Sequence, residues 1–175
     1  MKMKKLRKDQ RGFSLLELVI VIALTGLVTA AITMTVFQVF NMNTRTANRM
    51  AAVSQVQHAG KLVSEDILET QEVTLGESRG FPLTLIRTDP ETGNKHTVIY
   101  TLVDMPSGEF KRLQREHYLN EEPSPDSIDV VSEYIDPGPA RTSFVRAGDA
   151  LIFTVTATVG DESETRVYEV TPRPD

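Results

Sequence analysis

With 175 residues, the chain is long enough for one membrane helix and one compact domain. Its net charge of −5 divides unevenly, +5 over residues 1–12 and −10 over 13–175, so the bulk of the chain offers no basic patch to phosphates, which argues against nucleic-acid binding. Cysteine is absent, which removes disulfides, thiolate metal sites and a cysteine nucleophile.

The chain opens with Lys2, Lys4, Lys5, Arg7, Lys8 and Arg11 against Asp9, a strongly positive leader of the kind that stays on the cytoplasmic side of a membrane. From Phe13 to Phe40 follows an apolar run whose only charge is Glu17. About 20 apolar residues suffice to cross a bilayer, so this run can span. An ordinary secretory signal has an apolar core of roughly 7–15 residues and ends at a small-residue cut site. This run is longer, and no such site follows it. A carboxylate costs about 2.5–3.5 kcal/mol at the centre of a membrane helix, less near its edge, so Glu17 implies a partner.

The segment Arg11-Gly12-Phe13-Ser14-Leu15-Leu16-Glu17-Leu18 resembles the processing site of type IV pilin-like proteins. The resemblance implies cleavage by an inner-membrane prepilin peptidase between Gly12 and Phe13, N-methylation of Phe13 by the same enzyme, and an assembly role for Glu17 as the fifth residue of the mature chain. Physical considerations agree with it. Gly12 has no side chain to obstruct an extended fit in a peptidase, and cutting there frees an ammonium group beside an apolar surface. In the family's filaments the counterpart of Glu17 meets the N-terminal amine of a neighbouring subunit. At 4 Å and an effective dielectric near 20 that attraction is roughly 4 kcal/mol before desolvation, enough to favour one register. Phe13 and Glu17 are also four apart on one helix, so pairing within the chain stays open.

Beyond Phe40 the pattern stays helical but turns polar. Met42, Thr46, Met50, Val53, Val56, Gly60, Val63 and Ile67 recur at steps of three and four, one stripe on a helix. The spacing predicts a single helix over about 13–70, roughly 85 Å long. Its first half would lie in lipid or a filament core, and its second half would pack on a soluble domain. Gly26 and Thr25, Thr29, Thr33 and Thr35 lower helix propensity inside the span and mark where it could bend. Many major pilins carry a helix-bending proline at the position of Met34, and its absence leans toward a minor subunit. The domains expected are a leader over 1–12, a transmembrane or filament-core helix over 13–40, an amphipathic helix over 41–72 and a β-rich extracytoplasmic domain over 73–175.

The remainder reads as strands and turns. Alternating runs at 81–88 and 96–103 flank Asp89-Pro90-Glu91-Thr92-Gly93-Asn94, a hairpin signal. A weaker strand lies at 110–118, a proline- and acid-rich loop at 119–127, an ambiguous stretch at 128–135 and a short strand at 143–146. A closing hairpin joins 151–159 to 165–170 over Gly160-Asp161-Glu162-Ser163-Glu164. A long helix followed by antiparallel strands gives an α+β, pilin-like fold with the sheet on one helix face. The segment 59–72, the pair Val98-Ile99-Tyr100 and Gly108-Glu109-Phe110-Lys111-Arg112, and the closing hairpin resemble J-type minor pseudopilins and PilW-like minor pilins.

No catalytic constellation is visible. His58, His96 and His117 have no metal-like spacing and read as surface or interface histidines. Asp161, Glu162 and Glu164, or Asp126 with Asp129, could offer oxygen ligands to calcium but read as solvated turn acids. No G-x-S-x-G and no phosphate-cradling loop occurs. Neither a metal nor another cofactor is expected, and the chain reads as a substrate of an enzyme rather than an enzyme. The leading function is that of an accessory subunit of a type IV pilus or type II secretion pseudopilus. Its partners would be the prepilin peptidase, other pilin-like subunits and the inner-membrane assembly platform. It would sit as a single-pass protein of the inner membrane, N-terminus cytoplasmic, before entering a filament. The alternatives are a DNA-uptake pseudopilus subunit and a membrane-anchored adhesion module using the 119–140 region.

Overall fold

A computed structural model describes residues 14–106, 108–120, 122–138 and 140–172. Helix α1 runs unbroken over Leu15–Glu69, ending one residue short of the helix expected over about 13–70. The chain forms two compact units that divide between Thr44 and Arg45.

In the first unit the helix has no tertiary layer, and every residue over 14–44 is exposed. The second unit contains the helix from Arg45 onward and eight antiparallel strands. They are β1 (Glu72–Gly76), β2 (Gly80–Thr88), β3 (Lys95–Asp104), β4 (Lys111–Leu119), β5 (Ser127–Ile135), β6 (Ser143–Ala147), β7 (Ala150–Val159) and β8 (Glu162–Val170). Strand order is β1-β2-β3-β4-β5-β7-β6, with β8 on the other edge of β7. This is an α+β arrangement in which the helix packs on a curled antiparallel sheet.

The β2–β3 hairpin forms where alternation and the Asp-Pro turn predict it, with Thr88 opposite Lys95. Asp89 organises the turn by accepting hydrogen bonds from Glu91 N–H at 2.9 Å and Thr92 Oγ1 at 2.7 Å. The Thr92 bond, then that from Glu91, holds its carboxyl below the ordinary range. The weaker strand over 110–118 and the ambiguous stretch over 128–135 are both strands, β4 and β5. The closing hairpin is tighter than its sequence suggests. Val159 pairs with Glu162, so the turn is Gly160-Asp161 alone and Glu162–Glu164 belong to β8. Gly160 takes φ 57°, the left-handed conformation a two-residue hairpin turn demands.

Strand β1 is absent from the pattern in the sequence. It is a short edge strand in which only Val73, Thr74 and Leu75 favour β structure, and pairing with β2 stabilises it. Thr70 directs the helix into it. Its hydroxyl donates to Ile86 O at 2.8 Å, and Gln71 N–H donates to Ile86 O at 3.0 Å, so strand β2 terminates the helix in place of a glycine cap.

The sheet curls until β6 meets β2. Phe144 N–H donates to Arg79 O at 2.9 Å, and the Phe81 and Phe144 rings lie 4.9 Å apart. Gly80 sits at this closure with φ 83°, where a Cβ would come within 2.6 Å of Phe144 Cβ. The core inside the curl joins Val56, Ala59, Val63 and Ile67 of the helix to Leu83, Leu85, Tyr100, Leu113, Ile135, Phe153 and Val155 of the sheet.

The buried helix stripe differs from the expected one at its start. Met42, Thr46 and Met50 are exposed, Val53 is half-buried, and Ala52 is fully buried in its place. The sheet supplies the reason: its β7–β8 turn reaches only as far as Asn48, which lies against Gly160, so earlier positions of the stripe face no strand.

Candidate functional site

Two features of the helix bear on function, and each lies within its own unit. In the first unit, Leu18 N–H donates to Ser14 O at 3.1 Å, which closes the first helical turn and places Glu17 within it. Among the described residues Glu17 meets no cation and no hydrogen-bond donor, and the sequence holds no other charge until Arg45. An acid in the first turn gains about 0.3–1 kcal/mol from the helix dipole. That is well short of the roughly 2.5–3.5 kcal/mol that a carboxylate costs inside hydrocarbon.

The flanking surface is apolar all round. Leu15, Leu27 and Phe37 are 79, 70 and 65 % exposed, and Leu16, Val21, Ile32 and Phe40 are exposed beside them. A helix apolar on every face is one that lipid or another helix covers, and this one is long and apolar enough to cross a membrane. Thr25, Thr29, Thr33 and Thr35 return their hydroxyls to the carbonyls four residues back at 2.7–2.9 Å, so they present little free polarity to an apolar surrounding. The helix continues through Gly26, where an added Cβ would meet nothing within 4 Å. Gly12 and Phe13, the expected cleavage and methylation positions, lie outside the described residues.

In the second unit the helix is fastened to the sheet by polar groups that the sequence pattern did not single out. Asp66 accepts from Tyr100 Oη at 2.5 Å and from Arg115 Nε and Nη2 at 2.7 and 3.2 Å. Its side chain is 16 % exposed and that of Arg115 is 19 %, so the pair is screened far less than a surface bridge. Tyr100 is fully buried. Burial first, and then the Asp66 carboxylate, pushes its ionisation well above the ordinary phenol range.

Gln55 performs a second fastening. Its Oε1 accepts from Glu133 N–H at 2.8 Å and from Ser132 Oγ at 3.0 Å. Strand β5 needs this, because it meets β7 only at Ile135 opposite Ala157 and leaves most of that edge unpaired. A third contact is steric. The Tyr168 ring lies on Gly60, where a Cβ would come within 2.0 Å of it, and the Tyr168 hydroxyl donates to Val56 O at 3.1 Å. Gly60 stood in the predicted stripe as a small residue, and its role is close approach.

The histidines separate. His58 is exposed on the helix, whereas His96 and His117 meet across β3 and β4 with ring nitrogens 3.0 Å apart. Among the acids considered for calcium, Glu164 lies 3.5 Å from Arg166, Asp129 lies 3.9 Å from Arg115, and Asp126 lies 3.6 Å from His117. Among the described residues no group of three or more histidines and acids is arranged to hold a metal.

Comparison with known proteins singles out the N-terminal segment. Residues 7–33 match a family model described as the prokaryotic N-terminal methylation motif. No curated protein and no solved structure matches the chain. The match covers that segment alone and supports a type IV pilin-like N-terminus of the kind that prepilin peptidase processes. The apolar helix is consistent with membrane anchoring.

Proposed function

We propose that this chain is a minor pilin or pseudopilin, an accessory subunit of a type IV pilus or a type II secretion pseudopilus, of the J-type or PilW-like kind. Prepilin peptidase cuts between Gly12 and Phe13 and methylates Phe13. The helix then leaves the inner membrane and packs its apolar surface against neighbouring helices, while the sheet domain stays extracytoplasmic. Glu17 sets the register by accepting the Phe13 amine of an adjacent subunit, a pairing worth roughly 4 kcal/mol before desolvation. The observation that carries this reading is one carboxylate without a partner among the described residues, on an apolar and wholly exposed helix, inside a matched methylation motif.

The test is Glu17→Ala in a cell that assembles the filament. Cleavage, membrane insertion and the melting temperature of the sheet domain should match the parent chain, while recovery in sheared filaments or in complexes with other subunits drops at least tenfold. Normal incorporation of the variant removes the register role.

A further inference from the structure

Among the described residues, two histidines of neighbouring strands lie in direct contact. His96 on β3 and His117 on β4 face the helix side of the sheet, and His96 Nδ1 lies 3.0 Å from His117 Nε2. Their ring centroids are 5.3 Å apart with planes inclined by only 16°. The centroid separation exceeds the nitrogen separation by about two ring radii, so both nitrogens lie on the line joining the ring centres. The rings therefore meet edge to edge, each aiming its nitrogen straight at the other. A metal bound by both would need the two lone pairs to converge on a point off that line. A single proton needs the alignment seen here.

The surroundings select which ring carries it. Asp126 Oδ2 lies 3.6 Å from His117 Nδ1 and favours a proton on that nitrogen, which leaves Nε2 to accept and makes His96 Nδ1 the donor. The remaining charges facing the pair come from every element around it. The last helical turns bring Asp66 and Glu69, β2 brings Arg87, and β4 brings Arg115. The β2–β3 turn brings Asp89, and β5 brings Asp129 next to Arg115. Asp66 is already bound by Arg115 and Tyr100, and Glu69 is bound by Arg87. One added proton, on His96 Nε2, leaves the hydrogen bond in place and makes it charge-assisted. A second, on His117 Nε2, would set two N–H groups and two positive rings against each other beside two arginines.

We propose that His96 and His117 form a proton-sharing latch that keeps the corner between the last helical turn and strands β2–β4 closed, and that acidification opens this corner by forcing a second proton onto the pair. The corner contains the small cavity lined by Asp66, Glu69, Arg87 and Arg115 and borders the loop leading to Asp126. Its opening is a local response of the extracytoplasmic surface to acid and does not depend on the N-terminal processing.

The test uses the full-length protein in detergent micelles, followed by hydrogen exchange from about pH 8 to about pH 5 and corrected for intrinsic rates. Peptides covering 64–72, 84–88, 95–98 and 115–120 should exchange about tenfold faster at the acid end, while β7 and β8 do not change. The double variant His96→Asn, His117→Gln keeps a donor and an acceptor at the facing positions but cannot titrate, and should show no acid opening. The proposal is overturned if the corner does not open in acid or if the double variant opens equally. It is also overturned if zinc ions added near neutral pH protect the corner, since the pair would then be a metal ligand set.

Discussion

The two units hold their helical segments by opposite means. Among the described residues, the helix over 14–44 is stabilised only by its own backbone bonds and by threonine hydroxyls returned to the preceding turn, and its large side chains are uncovered. From Arg45 onward the same helix narrows its contact face to Ala52, Val56, Ala59, Gly60, Val63 and Ile67 and is fastened by Asp66, Gln55 and the Tyr168 ring. The difference teaches where each segment finds its energy. The second unit is completed by its own sheet, whereas the first has an apolar surface and an acid that only a lipid or protein surrounding can satisfy.

Breaking the fastenings of the second unit should have the largest effects. Asp66→Ala strands Arg115 and the Tyr100 hydroxyl in a mostly buried site and should cost about 3 kcal/mol in thermal or denaturant unfolding of the detergent-solubilised protein. Gly60→Ala drives a methyl group into the Tyr168 ring and should cost about 2 kcal/mol by the same measurement.

Tyr100→Phe leaves Asp66 bound to Arg115, so the loss should be smaller, about 1 kcal/mol. This residue also carries a pH signature. The unfolded phenol ionises near pH 10, while the folded one keeps its proton to higher pH. The folded state then holds more protons than the unfolded one, and stability falls as pH climbs above about 10. Tyr100→Phe should flatten that alkaline decline. At the other extreme, Gly26→Ala should raise helicity of the first unit by about 1 kcal/mol. It should leave unfolding of the second unit unchanged, as circular dichroism and thermal melts can separate.

Much of this division is legible in the sequence. The apolar run with its lone acid and the 3.6-residue stripe through Val56, Val63 and Ile67 announce the helix, and alternation around Asp89-Pro90 announces β2 and β3. What periodicity cannot convey is which distant residue answers a local one. Asp66 sits beside the stripe as an ordinary helical acid, and its partner Arg115 is 49 positions away in a strand of mostly polar residues. Strand β1 escapes for a related reason, since pairing with β2 creates it rather than its own composition. Met42 and Met50 mislead because the spacing continues past the point where the sheet ends. Among the functional positions, Glu17 stands out by its charge alone, whereas Gly60 requires the Tyr168 ring above it to explain its size.

The most direct test is the intact mass of the protein recovered from membranes of a cell that contains prepilin peptidase. Maturation at the methylation motif predicts a chain that begins at Phe13 and carries one additional methyl group on its N-terminal amine. A chain that still begins at Met1 in the presence of active peptidase contradicts it, because Glu17 would then have no freed amine to meet.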